Sequence, residues 1–316
     1  MSDLHVGVAP WRSDPAGSAE SLAAQGERAE ALGYASFWLS ESHFAARAIP
    51  QPLLCLAAVA GRTRRIRLGT TSYLLPIRHA VQVAEEVAVL DRLSGGRVIL
   101  GIGRGFRSDL FTAFGVPSRE KRDRFGAAVE AMVRAWRGEP VAHDGEGGTP
   151  VLLAPLPVQE PHPPLWVAAF GPKAVEQAGR LGLPYFASPI ESLEVLAENY
   201  ARHRAVSAGA RAACVPVIRS VFVSSDAPLL QRVREALALQ NAALAAARAP
   251  ALRRSADADV DAVALIGTSA QVADAIARHR EVLGLTHLIA RVQVPGAEPA
   301  EIEGSLEALA ELAAAL

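Results

Sequence analysis

IRLGTTSYLLPIRHAVQVAEEVAVLDRLSGGRVILG, residues 66–101, is the stretch on which the fold turns. Its two ends, Ile66–Thr71 and Val98–Gly101, are short aliphatic runs of the length a buried strand needs. The segment between, from about residue 79 to 93, has helical periodicity. Ser94-Gly95-Gly96 then offers the left-handed stop with which helices end. The unit therefore reads strand, helix, strand, and such repetition implies a parallel sheet covered by helices.

The same alternation extends in both directions. Strands are expected at Leu4–Ala9, Ala35–Leu39, Leu165–Ala168, Tyr185–Ala187, Val215–Val223 and Thr286–Val292, which with the first two makes eight. Helices are expected at about 18–32, 52–61, 120–136, 172–181, 191–207, 227–247, 268–283 and 299–315, with Gly33 ending the first of these and Thr268 or Ser269 able to cap the start at 268. Eight such units in 316 residues suggest a (β/α)8 TIM barrel, one domain over 1–316, with a doubly wound open sheet as the rival architecture. Two stretches break the rhythm. Gly138–Pro164, with seven prolines and a Gly145-Glu146-Gly147-Gly148 turn, reads as a hairpin-containing insertion after the fourth βα unit. Ala249–Asp261 is alanine-rich and unpatterned, and mobility is expected there.

Half the residues are apolar and 21% charged, which excludes wholesale disorder. Thirty-two basic residues face thirty-three acidic ones, so no broad positive field draws nucleic acid or an anionic membrane. No long apolar segment suggests a membrane span or a secretory leader, and the two cysteines, Cys55 and Cys214, give neither a CxxC metal site nor a disulfide framework; a reducing cytoplasm is the expected location. The histidines lack the spacing of a metal site, and none is assigned.

Chemistry in a barrel of this kind belongs at the C-terminal strand ends and the loops after them. Ser40-Glu41-Ser42-His43-Phe44 follows the second strand, and His43 is its sharpest candidate, because imidazole exchanges protons near neutral pH. Glu41 could orient His43 or pair with an arginine. Gly101-Ile102-Gly103-Arg104-Gly105 follows the fourth strand; Gly103 allows close backbone approach to a ligand, and Arg104 suits a phosphate or carboxylate. A dinucleotide GxGxxG is not completed, since Phe106 stands at the third position, so a nicotinamide site is disfavoured. Arg119, Arg122 and Arg124 open a helix as either a solvated face or anion contacts. Gly171 and Lys173, at the start of another helix, could hold phosphate with free backbone N–H groups. Phe37, Trp38, Phe44, Tyr73, Phe106 and Trp166 are candidate apolar surface for a substrate, or else core.

The stretches RIRLGTTSYLLPIRH (65–79), AEE (84–86) and LDRLSGGRVILGIGRG (90–105) strongly resemble the bacterial luciferase-like flavin-dependent monooxygenases. FGVP (114–117), PVQEPHPPLWVAA (157–169), LIGTS (265–269) and GLTHLI (284–289) continue the likeness over most of the chain. The resemblance implies a (β/α)8 barrel holding reduced flavin mononucleotide (FMN) or a reduced deazaflavin, coenzyme F-420. It implies a homodimer through helices like those at 52–61 and 79–93, and a separate flavin reductase as partner. It places Thr71 and Ser72 at the isoalloxazine edge, across a non-proline cis peptide. Arg104, with one of Arg119, Arg122 or Arg124, falls at the phosphate, and Gly171 and Lys173 fall where relatives place hydroxyl residues on that phosphate. Many members read Glu-His-His-Phe where this chain reads Glu41-Ser42-His43-Phe44, so Ser42 occupies the slot of the histidine that acts near flavin C4a.

The implied activity is oxidation of a small-to-medium organic substrate with dioxygen through a C4a-peroxyflavin. Because of Ser42, two alternatives stand beside it: a deazaflavin-dependent hydride-transfer oxidoreductase, and a flavin-binding protein without turnover.

Overall fold

The computed structural model describes residues 4–12, 19–145, 147–186, 189–207, 214–247 and 259–316. In chain order the elements are β1 (His5–Val8), α1 (Ala19–Ala31), β2 (Ser36–Leu39), α2 (Pro52–Arg62), β3 (Arg67–Thr70), β4 (Tyr73–Leu74), α3 (Ala80–Ser94), β5 (Val98–Gly103), α4 (Ser108–Ala113), α5 (Lys121–Trp136), β6 (Ala142–His143) and β7 (Pro150–Val151). They continue with β8 (Leu165–Ala168), α6 (Pro172–Arg180), β9 (Tyr185–Phe186), α7 (Leu193–Val206), β10 (Pro216–Val223), α8 (Ala227–Ala247), α9 (Val260–Val263), β11 (Ala264–Gly267), α10 (Ser269–Leu283), β12 (His287–Arg291) and α11 (Pro299–Ala315). Each strand expected from the sequence is present, although Ala187 lies outside the described residues. The pattern missed β4, β11, α4 and α9. Of the segment 249–261, residues 249–258 lie outside the described residues, while Val260 and Asp261 are helical in α9 behind the capping carboxylate of Asp259.

The residues group into two compact units: Met1–Ser13 with Arg28–Trp38 and Val167–Leu316, and Asp14–Glu27 with Leu39–Trp166. In the first, β1 pairs in parallel with β2 and with β12, from His5↔His287 to Val8↔Ala290. β10 pairs in parallel with β12 over Pro216–Ser220 and with β11 over Ser220–Val223, and β8 pairs in parallel with β9. Phe222, Leu229, Leu230, Val233, Leu237 and Ile266 pack as one apolar cluster between β10, β11 and α8. The start of α10 carries a full capping box: Thr268 accepts from the Gln271 N–H while the Gln271 side chain accepts from the Thr268 N–H.

A polar knot lies inside this unit. Arg219 on β10 is fully buried, and its Nε donates to His279 Nε2 at 3.3 Å; Nδ1 of the same ring is 2.8 Å from the Ala275 carbonyl, so the proton sits on Nδ1 and the ring is neutral. Burial first, and then the Arg219 charge, push the His279 pKa from about 6.5 down to about 4. The unfolded chain therefore binds a proton that the folded chain refuses. His279 contributes its full stability above pH 6.5, and this is lost as pH falls from 6.5 towards 4, by on the order of 3 kcal/mol. Urea unfolding between pH 7 and 4 should show this slope, and His279→Gln should flatten it. An unchanged slope in the variant would show that other groups drive the acid response.

In the second unit β3 and β5 pair in parallel and β4 adds to β5, Tyr73 opposite Ile102 and Leu74 opposite Gly103. α3 ends at Gly95 in the left-handed conformation, φ 66°, as its Ser-Gly-Gly sequence requires. Asp91, fully buried on α3, accepts from the Val158 and Gln159 N–H groups at 2.9 Å each and from Gln159 Nε2 at 2.7 Å. The stretch 138–164 is thus fastened to α3, while β6 and β7 form an exposed antiparallel hairpin within it. Arg97 fastens the other side. Its guanidinium reaches Ser94 O, Thr63 Oγ1, Ile66 O, Ala60 O and Thr63 O at 2.6–3.2 Å. No helix among the described residues is long and apolar enough to cross a membrane.

Candidate functional site

The loop that leaves β2 meets the ends of β3 and β5 in the second unit. Thr71 N–H donates to Leu39 O at 2.8 Å, and Ser40 Oγ donates to Thr71 O at 2.8 Å. With the Ser40 proton so used, the 2.9 Å contact between Ser40 Oγ and Thr71 Oγ1 has threonine as donor. The Thr71–Ser72 peptide is cis. A Cβ at Gly103 would come within 2.1 Å of Ser72 Oγ, so any larger residue there would displace the serine side chain. Thr71, Ser72 and Gly103 are thereby brought together.

Glu41 is the electrostatic centre of this loop. Its side chain is fully buried, and the carboxylate accepts three bonds: His43 Nε2 at 2.7 Å, Arg78 Nη1 at 2.8 Å and the Leu74 N–H at 2.9 Å. The sequence left open whether Glu41 orients a histidine or pairs with an arginine, and it does both through the same oxygen, Oε1. Since a carboxylate only accepts, His43 carries its proton on Nε2, and Nδ1 holds the lone pair when the ring is neutral. Arg78 also donates to Leu74 O at 2.9 Å and lies 4.0 Å over the Tyr73 ring, whose hydroxyl donates to Glu86 at 2.8 Å. Burial pushes the Tyr73 phenol well above its ordinary range, so it stays protonated. Ser42, by contrast, is exposed and closes its own loop: its Oγ accepts from the Ile49 N–H at 3.0 Å and its N–H donates to Ile49 O at 3.1 Å.

The cations separate into two kinds. Arg124 is paired with Glu120 at 3.0 Å across one helical turn, and Arg119, 85% exposed, reaches only as far as Glu120 at 3.9 Å. Arg104 is half-buried. Burial first, and then the nearby Arg122 charge, lower its pKa to about 10, and Lys121 is lowered by burial and by both arginines. Arg104, Lys121 and Arg122 thus form a cluster of like charges, with Phe125 and Phe111 beneath Arg104 and Lys121 at 6.0 and 5.6 Å. Such a cluster favours an anion between its members. Arg107, which follows in the loop, is paired with Asp109.

Gly171 and Lys173 lie in the first unit, at the start of α6. Pro172 offers no N–H, and the N–H groups of Ala174 and Val175 bond to Gly171 O at 3.1 and 3.2 Å, so this helix end has fewer free donors than the sequence reading expected. The six aromatics divide between the two alternatives the sequence left open. Phe37, Trp38, Tyr73 and Trp166 are buried core side chains, and only Phe44 and Phe106 of the six are exposed. Sequence reasoning missed three neighbours: Arg78, Lys121 and Phe114. Lys121 carried a signal, as one of two lysines in a chain that otherwise uses arginine. Arg78 and Phe114 meet the loop only through the packing of distant segments. Among the described residues no group of histidine, cysteine or acidic side chains could hold a metal ion.

Residues 4–287 match the family described as luciferase-like monooxygenase. The oxygenase component of the flavin-dependent trigonelline monooxygenase of Acinetobacter baylyi is 32% identical over 163 residues, half of this chain and 45% of that protein. Limonene 1,2-monooxygenase of Rhodococcus erythropolis is 31% identical over 179 residues, 55% of this chain and 46% of that protein. The matches cover about half the length of these curated relatives. Among solved structures, monooxygenase RslO1 from Streptomyces bottropensis aligns over 98% of both chains at 29% identity with a TM-score of 0.81. The fold class is accordingly the (β/α)8 barrel.

Proposed function

The chain belongs to the luciferase-like monooxygenase family, and on that premise we propose that it is the oxygenase of a two-component, flavin-dependent monooxygenase acting on a small-to-medium organic substrate. As an oxidoreductase of this kind it would receive reduced FMN from a separate reductase and work as a cytoplasmic homodimer. The observation that carries the reading is the cluster of Arg104, Lys121 and Arg122. Its members disfavour one another's charge, and a phosphate dianion would relieve them. The reduced flavin, when bound, supplies the electrons that activate dioxygen.

The chain's own residues divide the remaining work. Arg104, Lys121 and Arg122 hold the phosphate. Thr71 and Ser72, with Gly103 leaving room beside them, line the ring edge. Glu41 holds the Nε2 proton of His43, so that Nδ1 can accept a hydrogen bond or a proton from the reacting group. Ser42 accepts from Ile49, and its hydroxyl proton remains available to donate. Gly171 and Lys173 enter no step.

Anaerobic titration of the protein with reduced FMN, followed by admission of air, tests this directly. Tight binding and oxygen consumption that depends on an organic substrate are expected; binding without that oxygen consumption would instead mark a flavin-binding protein without turnover. Arg104→Ala should weaken FMN about a hundredfold and riboflavin by less than about threefold, since only FMN carries the phosphate. Equal losses for both would remove Arg104 from the phosphate site. The placement of Ser42 in the usual histidine slot favours a second reading, hydride transfer with a reduced deazaflavin. Preference for that coenzyme with no dependence on oxygen would establish it instead.

A further inference from the structure

Three rings meet beside the Glu41 carboxylate. His43 and Phe44 have centroids 5.6 Å apart and tilted by 43°, His43 and Phe114 are 5.2 Å apart edge to face at 75°, and Phe44 and Phe114 are 6.3 Å apart. His43 is buried, but Phe44 is 59% exposed and Phe114 43%. Phe44 is also the one described non-glycine residue with positive φ, 60°, a conformation that a bulky side chain avoids. The free protein thus holds a disfavoured backbone in order to keep a large ring in water. Such an outlier beside reactive groups is the mark of a ligand contact.

We infer that Phe44, His43 and Phe114 form a platform for the flat face of an aromatic or conjugated ring in the substrate, a reading that rests on the monooxygenase function proposed above. An aliphatic substrate would gain only buried area from this surface, which leucine or methionine would offer equally. Tilted and edge-on rings add the complementarity of π faces and ring edges, which another unsaturated ring uses on both its face and its edge. Arg107, whose Nη1 reaches His43 O at 3.5 Å, is paired with Asp109, and Glu41 is paired with Arg78.

The test uses two probes with one carbon skeleton, 2-naphthol and decahydro-2-naphthol, titrated calorimetrically into the full chain with and without FMN. The aromatic probe should bind about tenfold more tightly. Phe44→Leu and Phe114→Leu should each cut that ratio about threefold, and the double variant should abolish it; both side chains are exposed, and leucine keeps their bulk. Equal affinities for the two probes, or a ratio that survives the double variant, would overturn the platform. So would a double variant that converts a dimer to a monomer in sedimentation at an unchanged ratio, which would assign the rings to a contact between copies. FMN binding is read in the same samples. Its absence alongside an intact ring preference would sink the flavin reading and leave the platform standing, and the reverse would do the opposite.

Discussion

Glu41→Gln should destabilise the folded chain by about 3 kcal/mol, because it removes the charge that holds three donors in a buried loop. The wild-type carboxylate accepts from His43, Arg78 and the Leu74 amide. A glutamine keeps one accepting oxygen and turns an amide N–H₂ towards the other partners; His43 can accept from it by moving its proton to Nδ1, but Arg78 and the Leu74 N–H can only donate. Arg78 then keeps its positive charge with no carboxylate beside it, in a side chain only 13% exposed. The loss stays at the lower end of the range for a broken buried pair because Arg78 retains the Leu74 carbonyl. Denaturant unfolding at pH 7 reads the effect. Adding Arg78→Met should recover part of it, giving a double-mutant coupling above about 1 kcal/mol. Strict additivity would mean that the carboxylate and the guanidinium do not depend on each other.

Arg97→Ala should cost as much or more, about 3–4 kcal/mol, although Arg97 lies in no candidate site. Its guanidinium collects the Ala60 and Thr63 carbonyls at the end of α2, the Ile66 carbonyl before β3 and the Ser94 carbonyl at the end of α3. All but the Ile66 carbonyl are groups that a helix end leaves without partners, and each partly buried carbonyl abandoned costs about 1 kcal/mol or more. Arg97→Lys should recover less than half, since an ammonium is a point donor and cannot span two helix ends. Thermal unfolding of the three proteins provides the comparison. A lysine variant as stable as wild type would show that charge alone, and not the planar fork, holds the corner.

The features read correctly from sequence are those fixed by near neighbours. The run Val98–Gly101 is apolar enough to be a buried strand wherever it packs, and Ser94-Gly95-Gly96 stops α3 through the backbone freedom of glycine alone. Ala264–Gly267 escaped notice as a strand because four residues carry little period and follow a patternless stretch. Glu41 and His43 stood out by residue type, but the bond between them and the shared Arg78 depend on how residues 40–44 pack against residues 74–78. Ser42 was visible as a departure from its relatives, whereas its partner, Ile49, was not. The apolar surface was the least legible. β2 is buried along its whole length, which turns Phe37 and Trp38 into core, while Phe114, seventy residues from Phe44, joins it only in the fold.

The Asp91 clasp settles where this chain can change length. Its three bonds fix residues 158 and 159 on α3, and Gln159 in turn donates to Val98 O at the start of β5, so the register of both elements is set downstream of the hairpin. The hairpin tip closes on itself through the Asp144 N–H to Thr149 O bond at 3.0 Å, between strands that are exposed. Extra residues beside the exposed Gly145 or Gly147 therefore lengthen the turn without moving the strand end that carries Gly103 and Arg104. That tip is the natural entry point for an inserted epitope or an affinity handle, and the place where related chains can diverge in length while sharing one site.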